Sequence, residues 1–492
     1  MEVVSDPGAG LQAELRALGD KSVRRAATAA VVARRIVYAA AGLYAVIFAG
    51  AAVLHFLVFQ SAHADLGTMA QAVWSTSHGH FLETTTLAGR NMTRLGGHVD
   101  PFLALFVPLW WVWSSPLMLA VVQAIAVSAG ALPVYWLARK HLRSDRAAVH
   151  CALAYLVVPA TQFNAFTVSS GFHSVSIAIP LILFAIWFLD EDRLLLFGAF
   201  ALLAASTKEE IPAAVGCLGI WYAVRKGRKG VGLLIFAAGV GVSLVDFLVV
   251  IPHFSPSGID PFVGRYEDVG GTPGGILHTA LHDPVALLQA VATTHKLVYV
   301  LLLLAPFLGL WLLEPLLFLG AVPDLAINLL SAKTDQTVVA YHWTAGIVPF
   351  AIAATIFGVA RLKRDPDAVS LYVLVAAACI AVYSPLLSVR GDISSWRSPT
   401  HSAKANALDL VPSGVPVSAS NQLGAYLADR RYSYIFPTVR RATWVIVDRA
   451  DPTYGDTAGY RRTVRELESS ARWKIQYSSH GIEVFRRRQA AR

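Results

Sequence analysis

Residues 36–67 read IVYAAAGLYAVIFAGAAVLHFLVFQSAHADLG. The run Ile36–Phe59 carries no Asp, Glu, Lys or Arg. It is long enough to cross a hydrocarbon core and too long for the core of a signal peptide. It delivers the chain to His63-Ala64-Asp65-Leu66-Gly67, which puts a carboxylate at a membrane exit. From there Leu66, Met69, Ala70, Val73 and Trp74 fall at i, i+3, i+4, i+7 and i+8, with Thr68, Gln71 and Ser75 opposite. This stripe predicts a helix lying in the interface plane, with Asp65 at its start facing whatever the membrane presents. The competing reading makes Asp65 only the N-cap of that helix.

The rest of the chain follows from this first crossing. Of its 492 residues, 55% are hydrophobic and 15% charged, with a mean hydropathy of +0.53, and apolar runs recur to residue 386. The sequence therefore predicts an α-helical polytopic membrane protein. Its net charge of +9 does not point to nucleic acid, because the basic residues cluster in short loops between apolar runs. Cys151, Cys217 and Cys379 lie inside such runs with neither disulfide nor metal-ligand spacing.

Residues 1–35, with Arg16, Lys21, Arg24, Arg25, Arg34 and Arg35, are placed in the cytoplasm by the positive-inside rule. The first span then leads into an outer loop, 59–100. Charge counting keeps Arg139-Lys140 and Arg143 inside, so 101–113, with Trp110, Trp111 and Trp113, reads as an interfacial or re-entrant helix. Spans at 117–138, 147–163, 174–189, 194–206, 211–224, 231–252, 296–313, 315–331, 343–360 and 369–386 complete about eleven crossings. This places the C-terminus outside, and the transmembrane domain is 36–386. The tail, 387–492, changes character. Short β-rich runs at 415–420, 432–436, 443–448, 474–478 and 482–485 alternate with helical stretches at 399–411, 421–430 and 457–472. They predict a small extracytoplasmic α/β domain.

Every polar loop of unusual content falls outside. Lys208-Glu209-Glu210 sits between two apolar segments, where ionisable residues are costly and face a cavity or a partner; the plainer reading is a solvated turn with a local Lys–Glu pair. Asn91, His98 and Asp100 precede Pro101, and His98 with Asp100 forms two ligands of a divalent-cation site, short of a full set. Phe172-His173-Ser174 and Tyr341-His342-Trp343 each open an apolar run on the same side. A single His there is usually an interfacial anchor; several beside carboxylates suggest a site. His-Glu-x-x-His, Gly-x-Ser-x-Gly and Walker motifs do not occur, leaving zinc protease, α/β-hydrolase and ATPase readings without support.

Taken in order, Asp65-Leu66-Gly67, His98-x-x-Pro101, Phe172-His173, Lys208-Glu209-Glu210 and Tyr341-His342-Trp343-Thr344 resemble the DUF2079 family of bacterial membrane proteins. So do residues 411–420 (VPSGVPVSAS) and Arg431-x-Tyr-x-Tyr-x-Phe436-Pro437 in the tail. The resemblance runs from about residue 40 to 487. That family is similar in architecture to GT-C glycosyltransferases, which take a sugar from a polyprenyl-phosphate carrier at the outer face of the membrane. The resemblance implies a transferase of that kind in a bacterial plasma membrane, acting on an envelope glycan or lipid acceptor. Asp65 matches the acidic residue of the first outer loop and is the expected catalytic base. The paired Asp-x-Asp of many GT-C members is missing here, so a second carboxylate falls to Asp100, Glu209 or Glu210. Together with His98 these are the supporting residues, and the candidate ligands for a divalent cation, Mg or Mn. Lys208, His342, His173 and Arg265 are the expected donor-phosphate ligands. Loop 253–295, with Gly270-Gly271 and Gly274-Gly275, is an expected lid, and the tail an expected binder of acceptor glycan. The rival reading is a lipid or solute transporter, or a non-catalytic scaffold. A transporter places ionisable residues near the midplane in opposing halves. A scaffold tolerates Asp65→Asn and Lys208→Ala but not loss of 387–492, and an enzyme shows the reverse order.

Overall fold

The computed structural model describes residues 7–85, 89–255, 257–258, 261–452 and 457–488, with side chains from residue 27 onward except at Val263 and Pro273. The first six residues of the basic N-terminal segment, three positions of loop 253–295 and the last four residues of the tail lie outside the described residues.

The first helix runs from Pro7 to Leu57, and its apolar part, Ala27–Leu57, rises about 46 Å at 1.5 Å per residue. One face of it, Val37, Ala41, Tyr44, Phe48 and Ala52, is buried at helical spacing, while Leu43 and Val46 remain exposed as a lipid-facing surface requires. Phe59 takes a left-handed backbone that stops the helix. Among the described residues four further helices are long and apolar enough to cross: Leu117–Leu142, Lys229–Phe254, His342–Arg361 and Pro366–Trp396. A bent pair, Pro284–Val291 and Thr294–Phe307, turning by 63°, makes up to six.

The other expected spans are short or broken, so helix length does not settle the count of about eleven. The 147–163 segment breaks at Val158, which precedes Pro159 and leaves the helical region. The 296–313 segment is interrupted where Leu308 and Gly309 both turn left-handed. Residues 101–113 form a short separate helix, Pro101–Val112, that buries Phe102, Leu103, Phe106 and Trp110 and exposes Trp111 and Val112. Helices Ile211–Arg225 and Lys229–Val245 cross through glycines. A Cβ on Gly219 would stand 2.2 Å from the Gly232 carbonyl oxygen, so only glycine permits this approach.

The tail forms a five-stranded mixed sheet from β3 (Val417–Ala419), β4 (Ser433–Ile435), β5 (Trp444–Asp448), β6 (Trp473–Ser479) and β7 (Ile482–Arg487), after a two-stranded ribbon of β1 (Glu83–Thr84) and β2 (Met92–Thr93) within loop 59–100. The order is β4-β3-β5-β7-β6, with β3 parallel to β4 and β5, and β7 antiparallel to β5 and β6. All five strands fall where alternation placed them. Successive residues face opposite cores: Val445 and Val447 join Phe436, Tyr460 and Phe485, whereas Ile446 joins Ala403, Leu423 and Val484. Residues 389–396, on the tail side of the expected boundary, still pack on the first helix, where Asp392 pairs with His55 at 3.1 Å.

Candidate functional site

The segment after the first helix is not a surface helix. His63–Gly67 is a single wide π-turn, followed by the α-helix Thr68–Ser77. The apolar stripe is buried, but so are Thr68, Gln71 and Ser75 on the polar side. The expectation of an interfacial helix is corrected for a physical reason: protein covers and satisfies the polar side, Thr68 and Ser75 donating to the His63 and Glu83 carbonyls and the C-terminal domain meeting Gln71. The Gln71 amide donates to the Arg430 carbonyl and to Thr85 Oγ1, both at 3.0 Å. Opposite, Leu66, Met69 and Val73 pack with Leu103, Phe106, Met118 and Phe172. Asp65 does not cap a helix: Ala62 and Gly67 hold the N-cap positions of the turn and the helix.

Freed from capping, Asp65 lines a cavity of about 390 Å³. The same cavity is walled by Arg94, His98, Asp100, His173, Lys208, Arg265 and His342, which the chain delivers from separate loops. His173 Nε2 stands 3.6 Å from Asp65 Oδ1, and its ring stacks on His342 with centroids 3.5 Å apart. Gln123 Oε1 fixes this loop by accepting the His173 backbone N–H at 2.7 Å. Burial, with Arg94, Lys208 and His98 adding to it, holds the His173 pKa well below its usual value, so the imidazole is neutral at pH 7. Asp65 keeps 31% of its side-chain surface open to the cavity, yet enclosure raises its carboxyl to about 6 against the opposing pull of Arg94, His98 and Lys333.

The Lys208–Glu210 turn is buried, so its charges are not simply solvated. Lys208 Nζ meets Glu210 Oε1 at 2.5 Å and lies 4.4 Å from the centre of the Trp343 ring. Burial disfavours the Lys208 charge, but Glu210 and Glu209 outweigh it and raise its pKa. Glu210 is the carboxylate that orients Lys208, and burial moves its own pKa upward. Glu209 turns away to the other loop, accepting the Val99 N–H at 3.0 Å and meeting His98 Nδ1 at 2.8 Å. Burial opposes its charge, yet His98 and Lys208 hold it down at about 2. Arg265 stacks its guanidinium 4.1 Å from the Phe262 ring centre, and Arg94 Nε donates to Asp100 Oδ2 at 2.7 Å.

These pairings bear on a metal. His98 is turned to Glu209 and Asp100 to Arg94, and among the described residues no three His, Cys, Asp or Glu side chains converge as a metal-binding group. The donor set for a divalent cation is not assembled. Arg94, Lys333 and Asp335 also line the cavity, as does Asn421 from the C-terminal domain. Sequence reasoning passed over these four. Arg94, six residues before Asp100, and the charged loop at 332–342 were the available signals, whereas nothing local marks Asn421.

A second cavity of about 650 Å³ adjoins the first and shares His98, Lys208, Phe262, Arg265 and Trp343 with it. Beyond that shared wall Phe247, Leu248, Pro252, Ile276, Ile327 and Leu330 make most of its lining apolar, with Glu209, Glu210, Tyr266, Thr272 and Gln336 as its polar members. Leu248 is exposed on its outer side. The covering loop is built from helices Pro273–His282 and Pro284–Val291. Its glycines serve close approach, because a Cβ on Gly275 would stand 1.9 Å from the Gly270 carbonyl oxygen.

The fold of this helical bundle is similar to that of ArnT, seen in two crystal structures. The crystal structure of ArnT from Cupriavidus metallidurans in the apo state is similar at 12% identity and a TM-score of 0.52, covering 91% of this chain and 98% of that one. The structure of the same protein bound to undecaprenyl phosphate gives 12% and 0.53, with 89% and 97% covered. The family described as "Predicted membrane protein (DUF2079)" matches residues 55–484, and the chain belongs to that family. Among curated proteins none matches the sequence.

Proposed function

We propose that the chain is a membrane glycosyltransferase that moves a sugar from a polyprenyl-phosphate donor to an envelope glycan or lipid at the outer face of a bacterial plasma membrane. The observation that carries this reading is the pair of adjoining cavities: Asp65 stands in the polar one, and Lys208 and Arg265 form the wall shared with the apolar one. ArnT, whose fold is similar, has been crystallised with undecaprenyl phosphate.

The acceptor hydroxyl gives its proton to Asp65 as its oxygen bonds to the anomeric carbon. The bond from that carbon to the phosphate oxygen breaks, and polyprenyl phosphate leaves with the bonding pair. Asp65, half-enclosed with its pKa near 6, is ionised at pH 7 and basic enough to take the proton. His173, neutral and facing it, holds its orientation. Lys208, Arg265 and Arg94 stabilise the charge developing on the phosphate, with His342 behind them. The apolar groove takes the first units of the polyprenyl chain, entering sideways from the bilayer past Leu248. No step passes through a metal.

The test is transfer by purified protein in lipid, offered a panel of radiolabelled polyprenyl-phosphate sugars with envelope acceptors. Transfer from one donor supports the reading. A panel with neither turnover nor saturable carrier binding overturns it and favours a scaffold.

A further inference from the structure

The turn that carries Asp65 is held from the other domain. Gly67 N–H donates to the Ala62 carbonyl at 3.1 Å, five residues back, so the turn is wider than an α-helix. Such turns are rare and need outside support. The first N–H groups of any helical turn have no internal acceptor, and here Ala64 N–H finds Asn421 Oδ1 at 3.0 Å, buried. His63, fully buried, meets Ser433 Oγ through Nε2 at 3.0 Å. Its ring fills the space in front of Gly424, where a Cβ would stand 2.0 Å from His63 Nδ1. Gly67 in turn lies against Ala425, whose Cα would be 3.0 Å from an added Cβ. On the opposite flank Leu66 N–H donates to the Ser170 carbonyl at the longer distance of 3.3 Å. Asn421 is also a wall of the cavity that Asp65 faces.

We infer that the C-terminal domain sets the register of the base: Asn421 and Ser433 hold the 63–67 turn in the wide form that points Asp65 into the cavity, making Asn421 a positioning residue of the site. A turn relaxed to α geometry would rotate Asp65 relative to the helix that follows. The chemical part of this inference rests on the transferase reading; the mechanical part does not. The glycine at 424 is explained by the same contact, since a larger side chain there would displace His63.

The experiment uses the full chain in lipid nanodiscs, comparing wild type with Asn421→Ala, Asn421→Asp and Ser433→Ala. Amide hydrogen exchange over residues 62–68 reads the turn directly. In Asn421→Ala it accelerates about 10-fold, the scale of one lost buried hydrogen bond, while the Leu117–Leu142 helix keeps its protection. Asn421→Asp retains the acceptor oxygen and the slow exchange. In the transfer assay, Asn421→Ala lowers kcat about 100-fold, as misplacement of a reacting group does, with the donor KM within about 2-fold. The acid limb of its pH profile moves below the wild-type position, because a loosened turn opens Asp65 to water. If Asn421→Ala misfolds, Ser433→Ala gives the same shifts, smaller. Wild-type exchange and an unmoved acid limb in both Asn421→Ala and Ser433→Ala overturn the inference. A wild type without transfer activity overturns the transferase reading instead, and exchange alone then decides whether the domain holds the turn.

Discussion

The two ends of the helix Ile211–Arg225 carry buried charge in opposite styles. At its C-terminal end Glu314, fully buried, has both oxygens taken: Arg225 Nε and Nη2 reach them at 3.1 and 3.0 Å, and Arg361 adds a further bond. Asp190, the last residue of the helix Ala178–Asp190, is likewise filled by Lys140 at 2.7 Å, His141 at 2.8 Å and Lys226 at 3.5 Å. At the N-terminal end Glu209 also has both oxygens taken, but other groups around the cavity are not saturated. Asp100 gives one oxygen to Arg94 and leaves the other, buried, without a hydrogen-bond partner among the described residues. His342 Nδ1 is in the same position, and Asp65 comes no closer to His173 than 3.6 Å. Both ends bear the desolvation cost of burying ions. Saturated carboxylates brace helices, whereas unsaturated ones beside a cavity are available to a ligand.

The sharpest way to break this comparison is Asp65→Asn. It is expected to lower transfer about 1,000-fold, within the range for losing a general base, with the purified protein remaining monodisperse. Activity equal to wild type would put Asp65 with the bracing charges. Next is Lys208→Ala, expected to cost about 100-fold in kcat/KM, the scale of one lost charge-stabilising donor, measured with a polyprenyl-phosphate sugar. Glu314→Ala, at the other end, is expected to invert the pattern. It leaves two arginines without their partner and lowers stability by about 2 kcal/mol, discounted for their partial exposure. Turnover per folded molecule stays unchanged. A thermal melt with a parallel rate measurement separates the two.

A smaller effect sharpens the same point through pH. The Asp65 carboxyl sits near 6 in the folded chain, above its usual 3.8. The folded state therefore holds its proton more tightly than the unfolded one, and stability falls as pH rises from about 4 through 6. Asp65→Asn removes that cost. The variant should melt higher than wild type at pH 8, and the difference should vanish below pH 4. Transfer by the wild type should rise through pH 6 to a plateau as the base ionises; a profile flat from pH 5 to 8 would remove Asp65 from the role.

One expected discriminator does not survive the structure. Loss of 387–492 was to harm a scaffold and spare an enzyme, but the tail grips the Asp65 turn through Asn421 and Ser433. Truncation should abolish either activity, so point variants must carry the distinction.

By itself the sequence determined the membrane class, the five helices long and apolar enough to cross, and all five strands of the tail, because hydropathy and alternation are local properties. It also marked the outer-edge motifs, since charges beside apolar runs stand out against their surroundings. Tertiary structure alone decided the rest. The periodicity at 66–74 cannot show that a residue 359 positions further along the chain meets Gln71 on the polar face as well. Which glutamate serves Lys208 depends on where the His98 loop lies, and Arg94 and Asn421 acquire meaning only once distant loops converge. Helix length does not settle the count of crossings, because the other apolar helices are short or broken and pack against neighbours that no single segment can see.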